Sequence, residues 1–384
     1  MWDVASGVHF VDPQSSQLLC NDIEHTSDIT NVCLNQSGLN DNRKLAWTDN
    51  NKDLLICKLD NESTRHKLHT IVNSIAWHPE ADILIALCDK SVLMWYYPNI
   101  VWSDSDLLKY TCVKTNVRAQ VQIVYKKITA YKKKRKDLYL QNSALDADAS
   151  ILHIEKTLLT IRLSSGGEYS VHISPFPLLL YDNINQGKWT ESLRLCHMAK
   201  DTAMYGAFTG MALESNMLDA VIQGLTALDE PDKLLFFLNV SRMHSSTRKQ
   251  AEIALYKKKL KEAVDILIEN GLLFRAIEFN VRLFRWREAL RLAIERNEFI
   301  EFVVAKRKLY LQQFRETENL AEFQHPQISN LTINWDNVQS IEEAQAQKER
   351  DKLKDSVQNS SELPLFPSLT QLLDVQNQDK NTTD

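Results

Sequence analysis

The chain has 384 residues, 44% hydrophobic and 25% charged, with a formal net charge of −5. That balance describes an ordinary folded protein of one to three domains and excludes a global attraction to nucleic acid or membrane, though not a local patch. Nine glycines are few for phosphate-cradling loops, and six cysteines scattered singly form no C-x-x-C pair, which argues against zinc ribbons and thioredoxin-type chemistry.

No apolar run approaches the roughly 18 residues of a membrane span, and no signal peptide opens the chain. A reducing, cytosolic setting is expected, so the sequons at Asn35, Asn61, Asn239, Asn330, Asn359 and Asn381 read as chance matches.

Residues 1–178 read as strands. Short runs rich in Val, Ile, Leu, Thr and aromatics alternate with Asn, Asp, Gly and Ser clusters. Trp2-Asp3 opens the first run. Strands are expected at Ile29–Leu34, Lys44–Thr48 and Leu54–Leu59, with a tight turn at Asp49–Asp53. A second unit runs Val72–Trp77, His78-Pro79, Ile83–Leu87 and Ser91–Tyr97. A third runs Ile151–Glu155, Leu158–Leu163 and Glu168–Ile173. Units of about forty residues holding several antiparallel strands read as about three WD-repeat propeller blades, with a generic antiparallel sandwich as the alternative. Three blades do not close a propeller, and open blades expose strand edges. The expectation is therefore a C-terminal portion of a longer chain, or an abridged gene model.

Between the second and third units, Lys126–Lys136 holds seven cations in eleven residues, flanked or interrupted by Tyr125, Tyr131 and Tyr139. A solvated loop extending a blade is one reading; a phosphate, anionic-lipid or import-signal patch is the other. The aromatics are too sparse for a stacking platform.

Residues 179–330 read as helices. Leu260, Ala263, Val264 and Leu267 form one apolar stripe; Leu273, Ala276, Ile277 and Phe284 a second; Trp286, Ala289, Leu290, Ala293 and Ile294 a third. Gly271 falls where the first helix should stop. Ala263, Ala276 and Ala289 mark close helix approach. The stretch Trp189-Thr190-Glu191-Ser192-Leu193 echoes Trp286-Arg287-Glu288-Ala289-Leu290, with weaker echoes from Met217 and Leu260. The spacing is too irregular for strict 34-residue tetratricopeptide repeats, so the array reads as tetratricopeptide-like, with Trp189 and Trp286 as wedges between helices. Residues 331–358 read as a polar helix. Residues 359–384 read as a disordered tail holding Leu363-Pro364-Leu365-Phe366-Pro367 and Leu372-Leu373, either a short binding motif or inert.

No catalytic, cofactor or metal residue is expected. There is no G-x-G-x-x-G, Walker loop or G-x-S-x-G. His66 and His69 form H-x-x-H on a predicted turn or strand without an acidic third ligand. Cys196 and His197 are adjacent and diverge on a helix. Glu288, Glu295, Glu298 and Glu301 lie among arginines and lysines, as on a solvated face.

Several segments resemble the intraflagellar transport protein 80 family. Asn42–Ala46, Asn51–Leu54, Ile75-Ala76-Trp77 and Trp95–Asn99 resemble its last blades, and Val171–Pro177 the end of its second propeller. Trp189–Cys196, Asn270–Ile277, Trp286–Leu290 and Ile333-Asn334-Trp335-Asp336 resemble its helical region in the same order. The Lys126–Lys136 run is not part of the pattern. The resemblance implies a non-enzymatic scaffold subunit of intraflagellar transport complex B. It further implies a place at the cilium, basal body and cytoplasm. Complex B subunits are the implied partners, with a possible homodimer through the helices and neither nucleic acid nor stable membrane insertion. A vesicle-coat or nuclear-pore type scaffold is the alternative with the same architecture.

Overall fold

The computed structural model describes residues 2–4, 7–10, 23–36, 43–59, 65–88, 91–116, 149–164, 166–243, 245–325, 328, 331 and 333–357. The lysine run and residues 359–384 lie outside them. Contacts divide the chain into two compact units, 1–239 with 256–258, and 240–255 with 259–384.

Among the described residues the first unit opens with four antiparallel sheets, each a meander of consecutive strands. The first is β1 (Trp2–Val4), β2 (Gly7–His9) and β3 (Ile23–Glu24). The second is β4 (Ile29–Leu34), β5 (Lys44–Asp49), β6 (Leu54–Lys58) and β7 (His66–His69). The third is β8 (Val72–Trp77), β9 (Leu84–Cys88), β10 (Ser91–Trp95) and β11 (Cys112–Asn116). The fourth is β12 (Ser150–Glu155), β13 (Leu158–Arg162) and β14 (Glu168–His172). The expected three units are thus the last three of four sheets. β5 and β10 are buried along their whole length, because sheets stacked face to face cover both sides of their middle strands. The burial takes in polar residues too, Lys44, Thr48 and Asp49 in β5 and Ser91 in β10. The outer strand β7 alternates between half-buried and exposed.

After β10 the chain leaves the sheet through α1 (Ile100–Ser103), a 3-10 turn and α2 (Leu108–Thr111) before returning as β11. The helices that follow are α3 (Phe176–Asn185), α4 (Trp189–Ala199), α5 (Thr202–Glu214), α6 (Leu218–Leu228) and α7 (Pro231–Ser241), and the excursion packs against α5. α5 is buried on every side from Gly206 to Leu213, as expected of a helix apolar all round. Its glycines allow the approach. A Cβ on Gly210 would lie 2.5 Å from the Tyr97 ring, and one on Gly206 3.0 Å from Tyr110 Cβ. Around them Tyr97 OH donates to Glu214, Tyr110 OH donates to Glu230 at 2.6 Å and Lys233 pairs with Asp104 at 2.6 Å. Tyr181 OH reaches the carbonyls of Asp82 and Tyr96, each at 3.0 Å.

The second unit continues with α8 (Ser246–Tyr256), α9 (Leu260–Glu269), α10 (Leu273–Arg282), α11 (Trp286–Arg296), α12 (Ile300–Phe314), α13 (Ala321–Gln324) and α14 (Trp335–Val357). Ala263, Ala276 and Ala289 are fully buried, and Gly271 takes φ +71° just past α9.

The four sequence echoes have a physical cause. Each marks the first turn of a helix: α4, α6, α9 and α11. Each carries an acid there (Glu191, Asp219, Glu262, Glu288) that complements the helix dipole. The residue before each N-cap is left-handed: Gly187, Asn216, Lys258 and Phe284, at φ +73°, +57°, +62° and +57°. The N-cap amide then bonds back five residues, as from Arg285 to the Asn280 carbonyl at 2.8 Å and from Met217 to Ala212 at 2.9 Å. This is the six-to-one bond that closes a helix whose C′ residue is left-handed.

Candidate functional site

Phe284 departs from the expectation that it extends the apolar stripe of α10. That helix ends at Arg282, so the 3.6-residue period no longer applies at 284. Phe284 instead occupies the left-handed turn position, with 60% of its surface exposed. A bulky side chain at positive φ is an outlier, and such strain gathers at functional sites. Ile294, placed on the next stripe, is also exposed, while Trp286, Ala289, Leu290 and Ala293 are buried as expected.

Phe284 forms the rim of a groove of about 450 Å³. Its lining includes three rings, with Phe284 5.3 Å and Trp286 5.4 Å from Tyr310; Phe314, outside the lining, lies 4.7 Å from Tyr310. Phe314 is 55% exposed, whereas Trp286 is the wedge the sequence predicts, only 6% exposed. Beneath the rings lies Arg307, buried, 5.4 Å from both the Trp286 and Tyr310 ring centres. Its guanidinium donates twice to Glu318, from Nε at 3.0 Å and Nη2 at 2.8 Å, and to Asn319 Oδ1 at 3.1 Å. This fork fixes the coil that forms the far wall, where Glu318 also accepts from the Leu320 amide. Burial alone would raise the Glu318 carboxyl, but the bonds from Arg307 and the backbone hold it below the usual range.

The mouth of the groove is cationic on one side. Arg285 and Arg287 are exposed there, Arg287 paired with Glu322 at 3.3 Å, and Glu316 lines the groove as well. The first-turn N–H groups of α11 have no carbonyl partner within their helix, and Arg285, as N-cap, supplies no side-chain acceptor. Glu288 at the mouth is engaged by Arg291 at 2.7 Å. The arrangement offers ring faces, donors and positive charge, but no nucleophile–base pair.

The remaining predicted positions stay apart. His66 and His69 fall on β7, His66 edge-on to Trp102 and His69 to Trp95. Among the described residues no group of three His, Cys, Asp or Glu is placed to hold a metal. Cys33, Cys112 and Cys196 are free thiols, and burial pushes Cys196 up to about 12. His197, next to it, faces Tyr205 instead. Trp189 stands edge-on to Phe208 at 6.0 Å. Glu301 accepts from the Asn334 amide and from Asn337 Nδ2, anchoring the start of α14. No helix among the described residues is long and apolar enough to cross a membrane.

Propeller-type sheets running straight into paired helices define a WD-repeat and tetratricopeptide-like protein. Residues 3–138 match the family model described as IFT80 second beta-propeller, and residues 204–351 match that described as IFT80/172/WDR35/WDR19 TPR domain. The first match takes in the lysine run. The chain is 28% identical over 349 residues to Intraflagellar transport protein 80 homolog of Rattus norvegicus, covering 90% of this chain and 41% of that protein. It is also 28% identical over 334 residues to the Mus musculus protein of the same name, covering 86% of this chain and 40% of that protein. The chain belongs to the intraflagellar transport protein 80 family. It spans about two fifths of the length of the curated relatives it matches.

Proposed function

We propose that the chain is a non-enzymatic scaffold subunit of intraflagellar transport complex B that supports cilium assembly through protein–protein contacts. Its place is the cilium, the ciliary basal body and the cytoplasm. The working parts are propeller blades in 1–178, tetratricopeptide-like helices in 179–330, a polar helix in 331–358 and a tail in 359–384. Other complex B subunits are the partners, with self-association through the helices as a second contact.

The observation that carries this reading is the match, in order, of residues 3–138 to the IFT80 second beta-propeller model and of residues 204–351 to the TPR model that IFT80 shares with 172, WDR35 and WDR19. The groove beside Phe284 supports it, because strain and exposed rings at one helical turn suit a docking surface rather than a core. Tagged chain captured from ciliated cells and analysed by mass spectrometry tests it. Recovery of intraflagellar transport subunits is expected. Recovery of vesicle-coat or nuclear-pore subunits in their place would overturn it.

A further inference from the structure

The turn between α9 and α10 carries the one Asn-Gly pair in the sequence, Asn270-Gly271. Both residues are exposed. Asparagine is a thermolabile residue, and a glycine after it presents a backbone nitrogen with no Cβ to shield it. We propose that this turn modifies itself: when the last turn of α9 opens, the Gly271 nitrogen attacks the Asn270 side-chain amide, and the isoaspartate that results loosens the α9–α10 hairpin. The inference stands on this turn alone and does not rest on the ciliary assignment.

The chemistry needs only water. The Gly271 nitrogen loses its proton and bonds to Asn270 Cγ. The Cγ–Nδ2 bond breaks, and Nδ2 leaves as ammonia with that proton. The cyclic imide then takes up water. Opening at Cγ gives aspartate. Opening at the main-chain carbonyl of residue 270 gives isoaspartate, whose backbone runs through Cβ and Cγ. Water is consumed, ammonia is released, and nothing is oxidised or reduced.

Three observations set when this happens and what it does. The first is access. Among the described residues nothing lies within 4 Å of a Cβ built on Gly271, so that side of the turn is open to water. The second is a gate. Asn270 Nδ2 donates to the Ile266 carbonyl at 2.8 Å, and the Gly271 amide donates to the Ile268 carbonyl at 3.0 Å. Asn270 has ψ +11°, which turns the Gly271 nitrogen away from Cβ. Attack waits until these bonds open, and a helix end opens far more readily than the whole unit. The third is consequence. Across the turn the Leu272 amide bonds to the Leu267 carbonyl at 2.8 Å, and both leucines belong to the cluster that buries Ala263 and Ala276. Isoaspartate adds a methylene to the backbone between them and sets a carboxylate at the negative end of α9, beside Glu269. The bond that closes α9 and the register of the hairpin are lost together.

Peptide mapping of the 384-residue chain by mass spectrometry, over days at mildly alkaline pH and with a parallel sample unfolded in urea, tests it. Isoaspartate is expected at 270 in the folded chain, formed at least about tenfold more slowly than in the unfolded sample. The rate should stay level in urea too dilute to unfold the second unit. It should rise with pH, because the attacking nitrogen must lose its proton. The fraction converted at 270, separated by its added charge, should melt below an Asn270→Asp variant, which carries the same charge without the longer backbone. Equal rates in folded and unfolded chain would overturn the gate. Conversion that appears only as the unit unfolds, or aspartate without isoaspartate, would overturn the route. A converted fraction that melts with Asn270→Asp would overturn the loosening of the hairpin.

Discussion

Two regions use aromatic side chains in opposite ways. At the joint between the third sheet and α5, Tyr97 and Tyr110 close over glycines and give their hydroxyls to Glu214 and Glu230, so nothing is left open. At the α10–α11 turn, Phe284 sits in a left-handed conformation with its ring mostly in solvent. The first region spends small residues to gain contact. The second accepts strain to keep a surface exposed. Packing of the first kind makes a rigid support, and exposure of the second kind leaves ring faces open to solvent.

The comparison is broken most severely at Trp286, which serves both core and groove. Trp286→Ala should destabilise the second helical unit by about 4 kcal/mol, from lost burial and the cavity left behind, read by urea unfolding. A loss below 1 kcal/mol would remove Trp286 from the core. Next, Gly210→Val should cost about 3 kcal/mol by overpacking against the Tyr97 ring, with the melt of the first unit lowered and that of the second unchanged.

Acid sharpens the comparison further. The Glu230 carboxyl is held low by hydrogen bonds from Tyr110 and Lys109, and Glu318 by Arg307 and the backbone against its burial. A folded-state pKa below the unfolded one contributes stability above about pH 4.5, lost as pH falls through the folded value. Both regions should therefore lose stability below that pH. Glu318→Gln should flatten the dependence in the second unit only, as followed by melts from pH 6 to 3. The smallest effect carries the opposite sign. Phe284→Gly should leave stability equal or raise it by about 1 kcal/mol, because glycine relieves the left-handed strain, while docking in the groove is lost.

Much of this architecture is legible in the residues. Val72–Trp77 is a strand to the residue, and Trp189, Leu260 and Trp286 each begin a helix. Periodicity, turn residues and the first-turn acid are local signals, and they survive folding. The excursion at 100–111 is not legible, because its two four-residue helices are too short to show a period. β7 is polar on its outer edge and reads equally as a turn. The groove is the least legible part. Its walls come from residues 284–288, 307–310 and 316–320, which only tertiary packing assembles. The one local hint was a phenylalanine where the equivalent turns carry glycine, asparagine or lysine.

The central claim is that this chain acts by presenting surfaces to other proteins of intraflagellar transport. Parallel capture of the tagged 384-residue chain, wild type and Phe284→Gly, from ciliated cells, with melting curves on both, tests it most directly. The account predicts transport subunits bound to wild type and reduced recovery with the variant, despite an equal or higher melting temperature. Undiminished recovery with the variant, or no transport subunits with either, would contradict it.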